Sequence, residues 1–486
     1  MTIPATTPED VSAIVRRAAE AGTAWRRSTI VERVRALGAV ADALDAHADE
    51  LIAEAKRETH LPEPRLRGEV RRTSFQLRLF AEVLEEGTWL DARIDRADGE
   101  WPMGAPRPDL RRQLEPIGPV LVFAASNFPF AFSVAGGDTA SALAAGNAVV
   151  LKAHRGHPQL SARTTTVVQD ALAAAGAPRG LFDTVYGTQA GVQALKDPLI
   201  QAAAFTGSIA GGRTLFDIAA SRPQPIPFYG ELGSVNPAFV TRSAASERAR
   251  EIVDGFVASV TGSAGQLCTK PGVLLVPADS GLDALLAAAS LPAPAPLLND
   301  GIAEGFRGAV EATASHDAVQ VLAGATGTDG DPGPVLLMTT AAALRADHES
   351  LISEMFGPAA LVATYDEESE MVAVASMLEG QLTATVVGSE GDAVAAELVP
   401  VLSTKAGRVL WNEWPTGVSV TWAQQHGGPY PATTAVGTTS VGAAAITRFL
   451  RPVTYQNMPD ALLPPALQAS NPLGIPRRID GILTAP

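Results

Sequence analysis

Along the N-terminal stretch, apolar positions recur at helical spacing. Thr7 supplies an N-cap, Pro8 the first helical position, and Glu9 and Asp10 the acids of the first turn. Val11, Ile14, Val15 and Ala18 then form the stripe that would face a core. The same period predicts helical regions over about 30–56 and 67–84. Residues 96–114 (RADGEWPMGAPRPDLRRQL) break it with a polar, Gly/Pro-rich run suited to a linker or an exposed hairpin. From Pro116 the texture changes: β-rich runs at 120–124, 148–152, 182–185 and 202–205 alternate with helical patterns near 138–145, 159–175, a short one, and one from Ile209. That alternation predicts βαβ units in a parallel sheet covered on both faces. A second α/β stretch follows Glu231 to about 435, and the tail after Gly442 reads as an edge strand leading into a Pro-rich arm. No internal repeat is visible.

Composition narrows the function. The chain has 486 residues, 46% hydrophobic and 18% charged, room for roughly two to four domains and unlike a disordered, collagen-like or coiled-coil chain. Its formal net charge of −15 disfavours a nucleic-acid partner, and a small acidic substrate would need a local basic pocket. The single cysteine, Cys268, excludes an internal disulfide and a Cys-based zinc cage, and it fits a reducing compartment. The start, MTIPATTPED, lacks a signal-peptide pattern. The most apolar stretch, 120–134, is broken by Ser126, Asn127 and Pro129, so a soluble cytoplasmic protein without a membrane span is expected.

Standard motifs are missing: no G-x-G-x-x-G, no Walker-A loop, no G-x-S-x-G and no H-E-x-x-H. His154 and His157 lack a nearby third ligand, and no metal is expected there. Three other segments carry candidate chemistry. Cys268 sits in GSAGQLCTKPG, either a small core hydrophobe or a reachable thiol whose pKa loop amides lower. Glu231, in FYGELGSVNPAFV with Asn236, is either a solvated strand-end acid or a carboxylate pushed up toward a general base's range. Asn127, in VFAASNFPF, is a turn asparagine or an amide at the ligand-binding end of a buried strand.

Taken in order, PIGPVLVFAASNFPF, GNAVVLKAH, FTGSIAGG, GELGSVNPAFV, GQLCTKPG, EMFGP and WNEWPTGV resemble the aldehyde dehydrogenase superfamily across essentially the whole chain. Within it, LKAH, QQHGGPYPATT and RFLRPVTYQNMPDALLP are most similar to the branch acting on 2,5-dioxovalerate (2-oxoglutarate semialdehyde). The resemblance implies Cys268 as nucleophile, Glu231 as general base and Asn127 as the oxyanion amide. It implies Lys152 at the adenosine ribose, Ser208 between Gly207 and Gly212 at the pyrophosphate, and Glu354 and Phe356 at the nicotinamide ribose and ring. Three residues after Lys152, where many NAD-preferring members carry a Glu, stands Arg155, so NADP is expected to be accepted at least as well as NAD. The implied fold is α/β: a Rossmann-like cofactor-binding domain (1–98 and 119–231), a catalytic domain (232–435), and an oligomerisation hairpin with C-terminal arm (99–118 and 440–486). The expected assembly is a homodimer or homotetramer.

Other readings are a fatty or other semialdehyde substrate, a scaffold without catalysis, and a cofactor-free thiol hydrolase or acyltransferase. The last would need a histidine base, and no histidine lies in the Cys268 or Glu231 segments. The loop 424–434 is a candidate pocket wall. Which arginine would meet a substrate carboxylate is not legible in the sequence.

Overall fold

The computed structural model describes residues 3–327 and 330–485. Its first helix, Pro8–Trp25, starts as the sequence predicts: the Thr7 hydroxyl accepts from the Asp10 N–H at 3.2 Å, and Val11, Ile14, Val15 and Ala18 are buried. The expected region 30–56 is two helices. Ile30–Ala46 opens with a capping box between Thr29 and Glu32, His47 leaves helical geometry, and Ala48–Thr59 follows. The helix Glu63–Glu86 is longer than its apolar pattern implied. It stops at Gly87 (φ 85°), where a Cβ would lie 2.3 Å from the Ile475 side chain, so only glycine fits.

Three sheets organise the rest. The first is parallel, in the order Phe182–Val185, Val149–Lys152, Val120–Phe123, Ala202–Thr206, Phe228–Glu231. Its chain path runs outward from Val120–Phe123 on one side, then crosses to the other. This reversal opens a crevice at the carboxyl ends of the central strands, beside Asn127. The second sheet has seven strands, in the order Gln320–Gly324, Val335–Thr340, Ala359–Tyr365, Val273–Pro277, Ala238–Val240, Gln381–Val387, Ala406–Trp411. Only Gln320–Gly324 runs antiparallel to its neighbour. Central strands of both sheets are almost wholly buried, as the unbroken apolar runs require.

The third sheet joins distant parts of the chain: Leu450–Gln456, Leu110–Pro116, Arg93–Asp95, Arg477–Ile479 and Ile482–Thr484. Residues 96–109 are the hairpin turn between two of its strands, closed by an Asp98–Arg107 bridge. Leu450–Gln456 is an edge strand, as expected, whereas the Pro-rich arm ends in a strand pair that pairs with Arg93–Asp95. The second α/β stretch ends earlier than the sequence pattern suggested, at Trp411. Residues 412–442 form an irregular excursion that folds back onto the edge strand of the first sheet.

Candidate active site

That excursion builds one wall of the site. Leu232 N–H donates to the Ala432 carbonyl at 2.8 Å, Thr434 N–H to the Gly230 carbonyl at 3.0 Å, and Glu231 forms an antiparallel bridge with Thr433. The close approach depends on Gly427 and Gly428: a Cβ on Gly428 would sit 2.1 Å from the Gln381 carbonyl oxygen, and one on Gly407 2.0 Å from that of Gly427. His426, just before this pair, is thereby driven into the interior with 1% of its surface exposed.

Cys268 comes from the other side. Asn236, held in left-handed geometry (φ 50°), donates from Nδ2 to the Cys268 carbonyl at 2.8 Å and the Lys270 carbonyl at 3.0 Å. Gln381 Oε1 in turn accepts from the Val235 and Asn236 N–H groups at 2.9 and 3.1 Å. The nucleophile loop is thus fastened to the seven-stranded sheet through an asparagine, a residue type that tolerates this backbone region.

Cys268, His426 and Glu231 present one donor atom each within 4.8 Å of one another. His426 Nε2 lies 2.8 Å from Glu231 Oε1 and 3.6 Å from Cys268 Sγ, while Nδ1 has no partner among the described residues. The proton therefore belongs on Nε2, where one N–H faces a carboxylate and a sulfur. A His–Glu separation of 2.8 Å is a hydrogen bond, and we read the group as a proton-handling chain. Ser440 Oγ donates to the other carboxylate oxygen, Glu231 Oε2, at 2.6 Å.

The electrostatics reverse two expectations. Burial pushes the Glu231 carboxyl up, but His426, the Ser440 hydrogen bond and Arg448 outweigh it, and the pKa ends below its ordinary value. The Cys268 thiol is not lowered by loop amides. Burial, then the Glu231 and Glu354 carboxylates, push it well above the ordinary range, with the Arg72 charge opposing. The resting pair is therefore a carboxylate and a thiol. No histidine lies in the Cys268 or Glu231 segments, yet one faces the cysteine, contributed by a segment remote from both.

Asn127 is buried at the carboxyl end of Val120–Phe123, and its Nδ2 donates to the Gln266 carbonyl at 3.1 Å, two residues before the nucleophile. One N–H of that amide remains for a developing oxyanion near Cys268.

The aldehyde dehydrogenase family model matches residues 1–452. The chain belongs to the aldehyde dehydrogenase family. It is thus one of the NAD(P)-dependent oxidoreductases acting on aldehydes. It is 41% identical over 485 residues to an alpha-ketoglutaric semialdehyde dehydrogenase of Acinetobacter baylyi, covering 98% of this chain and 92% of that one. It is 45% identical over 483 residues to alpha-ketoglutaric semialdehyde dehydrogenase 2 of Azospirillum brasilense, covering 97% and 91%. Among solved structures, a methylmalonate-semialdehyde dehydrogenase from Oceanimonas doudoroffii superposes with TM-score 0.79 at 19% identity, covering 94% of this chain and 92% of that one. An NADP-dependent glyceraldehyde-3-phosphate dehydrogenase from Bacillus halodurans gives 0.78 at 22%, covering 93% and 92%.

The residues that the family pattern assigns to the dinucleotide follow strand ends of the first sheet or lie in the loop before Ala359–Tyr365, and Glu354 and Ile209 both approach Gly233. Lys152 ends its strand in register with Phe123. Burial, with Arg155 nearby, lowers its ammonium pKa, and that ammonium makes no hydrogen bond or ion pair among the described residues. Arg155 is exposed, its guanidinium 3.6 Å from where a Cβ on Gly301 would lie. Ser208 caps the helix Ile209–Ala220, which leaves the strand Ala202–Thr206 after Gly207. A helix N-terminus there suits a pyrophosphate. Gly212 is buried in that helix, where a Cβ would meet Leu232 at 2.1 Å. Glu354 and Phe356 lie in the loop before Ala359–Tyr365, and Glu354 Oε2 sits 2.5 Å from where a Cβ on Gly233 would lie. An unpaired ammonium at one strand end and a helix N-terminus two strands away, at the same edge of the parallel sheet, are groups that a dinucleotide's ribose and phosphates would use, so these residues fit the cofactor. His154 and His157 have structural roles: His157 is buried between Ser161 and the Ala125 carbonyl, and burial keeps both rings below their ordinary pKa.

Proposed function

We propose that the chain oxidises 2-oxoglutarate semialdehyde (2,5-dioxovalerate) to 2-oxoglutarate, using NADP+ at least as well as NAD+. The observation that carries the substrate is the pair of relatives of that name, similar over nearly the whole chain. The Cys268–His426–Glu231 chain supports the chemistry. Glu231, ionised, takes the thiol proton, and the His426 N–H turns toward the sulfur, so the site holds one negative charge before and after. The Cys268 thiolate adds to the aldehyde carbonyl. Asn127 Nδ2 and the Cys268 backbone N–H face the resulting oxyanion, and one such donor contributes about 3–4 kcal/mol. Bound nicotinamide supplies the hydride acceptor that leaves a thioester on Cys268. Once the thiol proton has passed from Glu231 to solvent, the carboxylate, oriented by His426 and Ser440, draws a proton from the water that attacks this thioester, and the Cys268 thiolate leaves as the acid is released.

In this reading residues 1–98 and 119–231, which include the parallel sheet, carry the cofactor and residues 232–435 the nucleophile. The sheet that joins 99–118 and 440–486, with Arg93–Asp95 at its centre, mediates a homodimer or homotetramer through its edge strand Leu450–Gln456. No helix among the described residues is long and apolar enough to cross a membrane, and we place the enzyme in the cytoplasm. The test is nicotinamide reduction by purified enzyme with 2,5-dioxovalerate, succinic semialdehyde and decanal. We expect the highest kcat/KM for 2,5-dioxovalerate; a higher value for decanal would reverse the reading.

A further inference from the structure

The helix Glu63–Glu86 turns Arg65, Glu69 and Arg72 toward the segment that carries Asn127, at the spacing of one helical face. Each of the three meets it. Arg65 donates to the Asn127 carbonyl, and its guanidinium lies 5.0 Å from the centre of the Phe128 ring. Glu69 Oε1 accepts from the Phe130 and Ala131 N–H groups at 2.8 and 2.9 Å. The Arg72 guanidinium stands 5.3 Å from the centre of the Phe132 ring, which lies 6.3 Å from the His426 ring, itself beside Cys268.

Neither arginine forms an ion pair among the described residues, and an Nη1 of each lacks any hydrogen-bond partner while shielded from solvent. The Glu69 charge offsets only part of the cost of burying the two guanidinium groups, and Glu231 also faces Arg72, yet each arginine keeps an unpaired N–H near the nucleophile. Unpaired buried cations are costly unless an anion meets them. The anion they suit is planar and takes two N–H donors, as a carboxylate does.

We propose that Arg72, with Arg65 beside Asn127, is the subsite that holds the distal carboxylate of the substrate while its aldehyde carbon meets Cys268. This rests on the reading of the substrate as a semialdehyde acid. The Arg72 charge also works against the upward push on the Cys268 thiol, which places it within electrostatic reach of the reacting sulfur. The aromatic floor of Phe128 and Phe132 (ring centres 5.4 Å apart) would carry the methylene carbons between the two ends.

The test compares kcat/KM for succinic semialdehyde and 2,5-dioxovalerate with that for butanal and pentanal, in wild type, Arg72→Met, Arg72→Lys and Arg65→Met. The readout is the ratio of acid to uncharged aldehyde, which a general loss of packing would leave alone. We expect Arg72→Met to lower that ratio about ten- to hundredfold, mainly through KM, as the loss of one charge-assisted contact does. Arg65→Met should lower it less. Arg72→Lys, which keeps the charge but not the fork, should fall between and covers the case that Arg72→Met fails to fold. An unchanged ratio in the Arg72 variants, with wild type preferring the acids, overturns this assignment alone. Wild type preferring the uncharged aldehydes overturns the substrate reading and the assignment with it.

Discussion

Glu231 stays ionised inside the protein because His426 and Ser440 each donate to one of its oxygens, and its charge raises the Cys268 thiol. Burial is the larger cause of the raised thiol and the Glu231 charge adds to it, and a single experiment separates the roles of the two groups. In Glu231→Gln the negative charge beside Cys268 is gone, so its pKa falls, the thiolate fraction at about pH 8 rises, and iodoacetamide labels Cys268 faster than in wild type. Turnover nevertheless drops by about 10²–10⁴-fold, because deacylation has lost its base. His426→Gln should move the other way and slow labelling, since the thiolate loses its nearest N–H. Slower labelling in Glu231→Gln would mean that Glu231 already holds the thiol proton in the resting enzyme. The sequence exposed only half of this site. Cys268, Glu231 and Asn127 sit in motifs that read locally. His426 is 158 residues from Cys268 and 195 from Glu231, and only the folded excursion brings them together. Its available signal was physical: a histidine followed by two glycines, as close backbone docking demands.

Two loops, from separate strands of the seven-stranded sheet, are coupled by one buried lysine. Lys270 Nζ donates to the Met355 carbonyl at 3.0 Å and the Ala359 carbonyl at 2.6 Å, tying the Cys268 loop to the one with Glu354 and Phe356. Burial lowers Lys270 to about 8 and raises Glu354 to about 7, each partly offset by the other. Below about 7 Glu354 is a neutral acid with a proton on one oxygen; above it, both oxygens accept. If this carboxylate holds the ribose hydroxyls, as the family pattern assigns, KM for the cofactor should fall as pH rises through 7. Glu354→Gln should flatten that profile and raise KM at the alkaline end. A wild-type profile without an inflection near 7 would remove Glu354 from the ribose. Helix ends with a local cause, such as the Thr7 cap, were legible in advance. The break at His47 and the end of the second α/β stretch at Trp411 were not, because neither position carries a glycine or proline.

Across the whole molecule the charge problem is how a protein of net −15 binds a polyanionic dinucleotide. Long-range repulsion is screened over about 8–10 Å at physiological salt, so the rim of the crevice decides the outcome. There Lys152 supplies a partly buried ammonium, the N-terminus of Ile209–Ala220 supplies oriented N–H groups, and Arg155 supplies an exposed guanidinium. On the family pattern the first two would serve either cofactor, and Arg155 is the one proposed to meet a 2′-phosphate. An exposed contact of this kind contributes only about 0–1 kcal/mol, so the preference for NADP+ should be modest and NAD+ should remain usable. Replacing Arg155 by Glu exchanges attraction for repulsion, and the two effects add. We expect Arg155→Glu to lower the NADP+/NAD+ ratio of kcat/KM by about tenfold, and Arg155→Ala by less. Added salt should raise KM for NADP+ more than for NAD+ in wild type, and this difference should shrink in Arg155→Ala. Wild type restricted to NAD+, with Arg155→Glu leaving both KM values unchanged, would show that Arg155 only faces solvent. Selectivity would then have to come from the shape of the crevice.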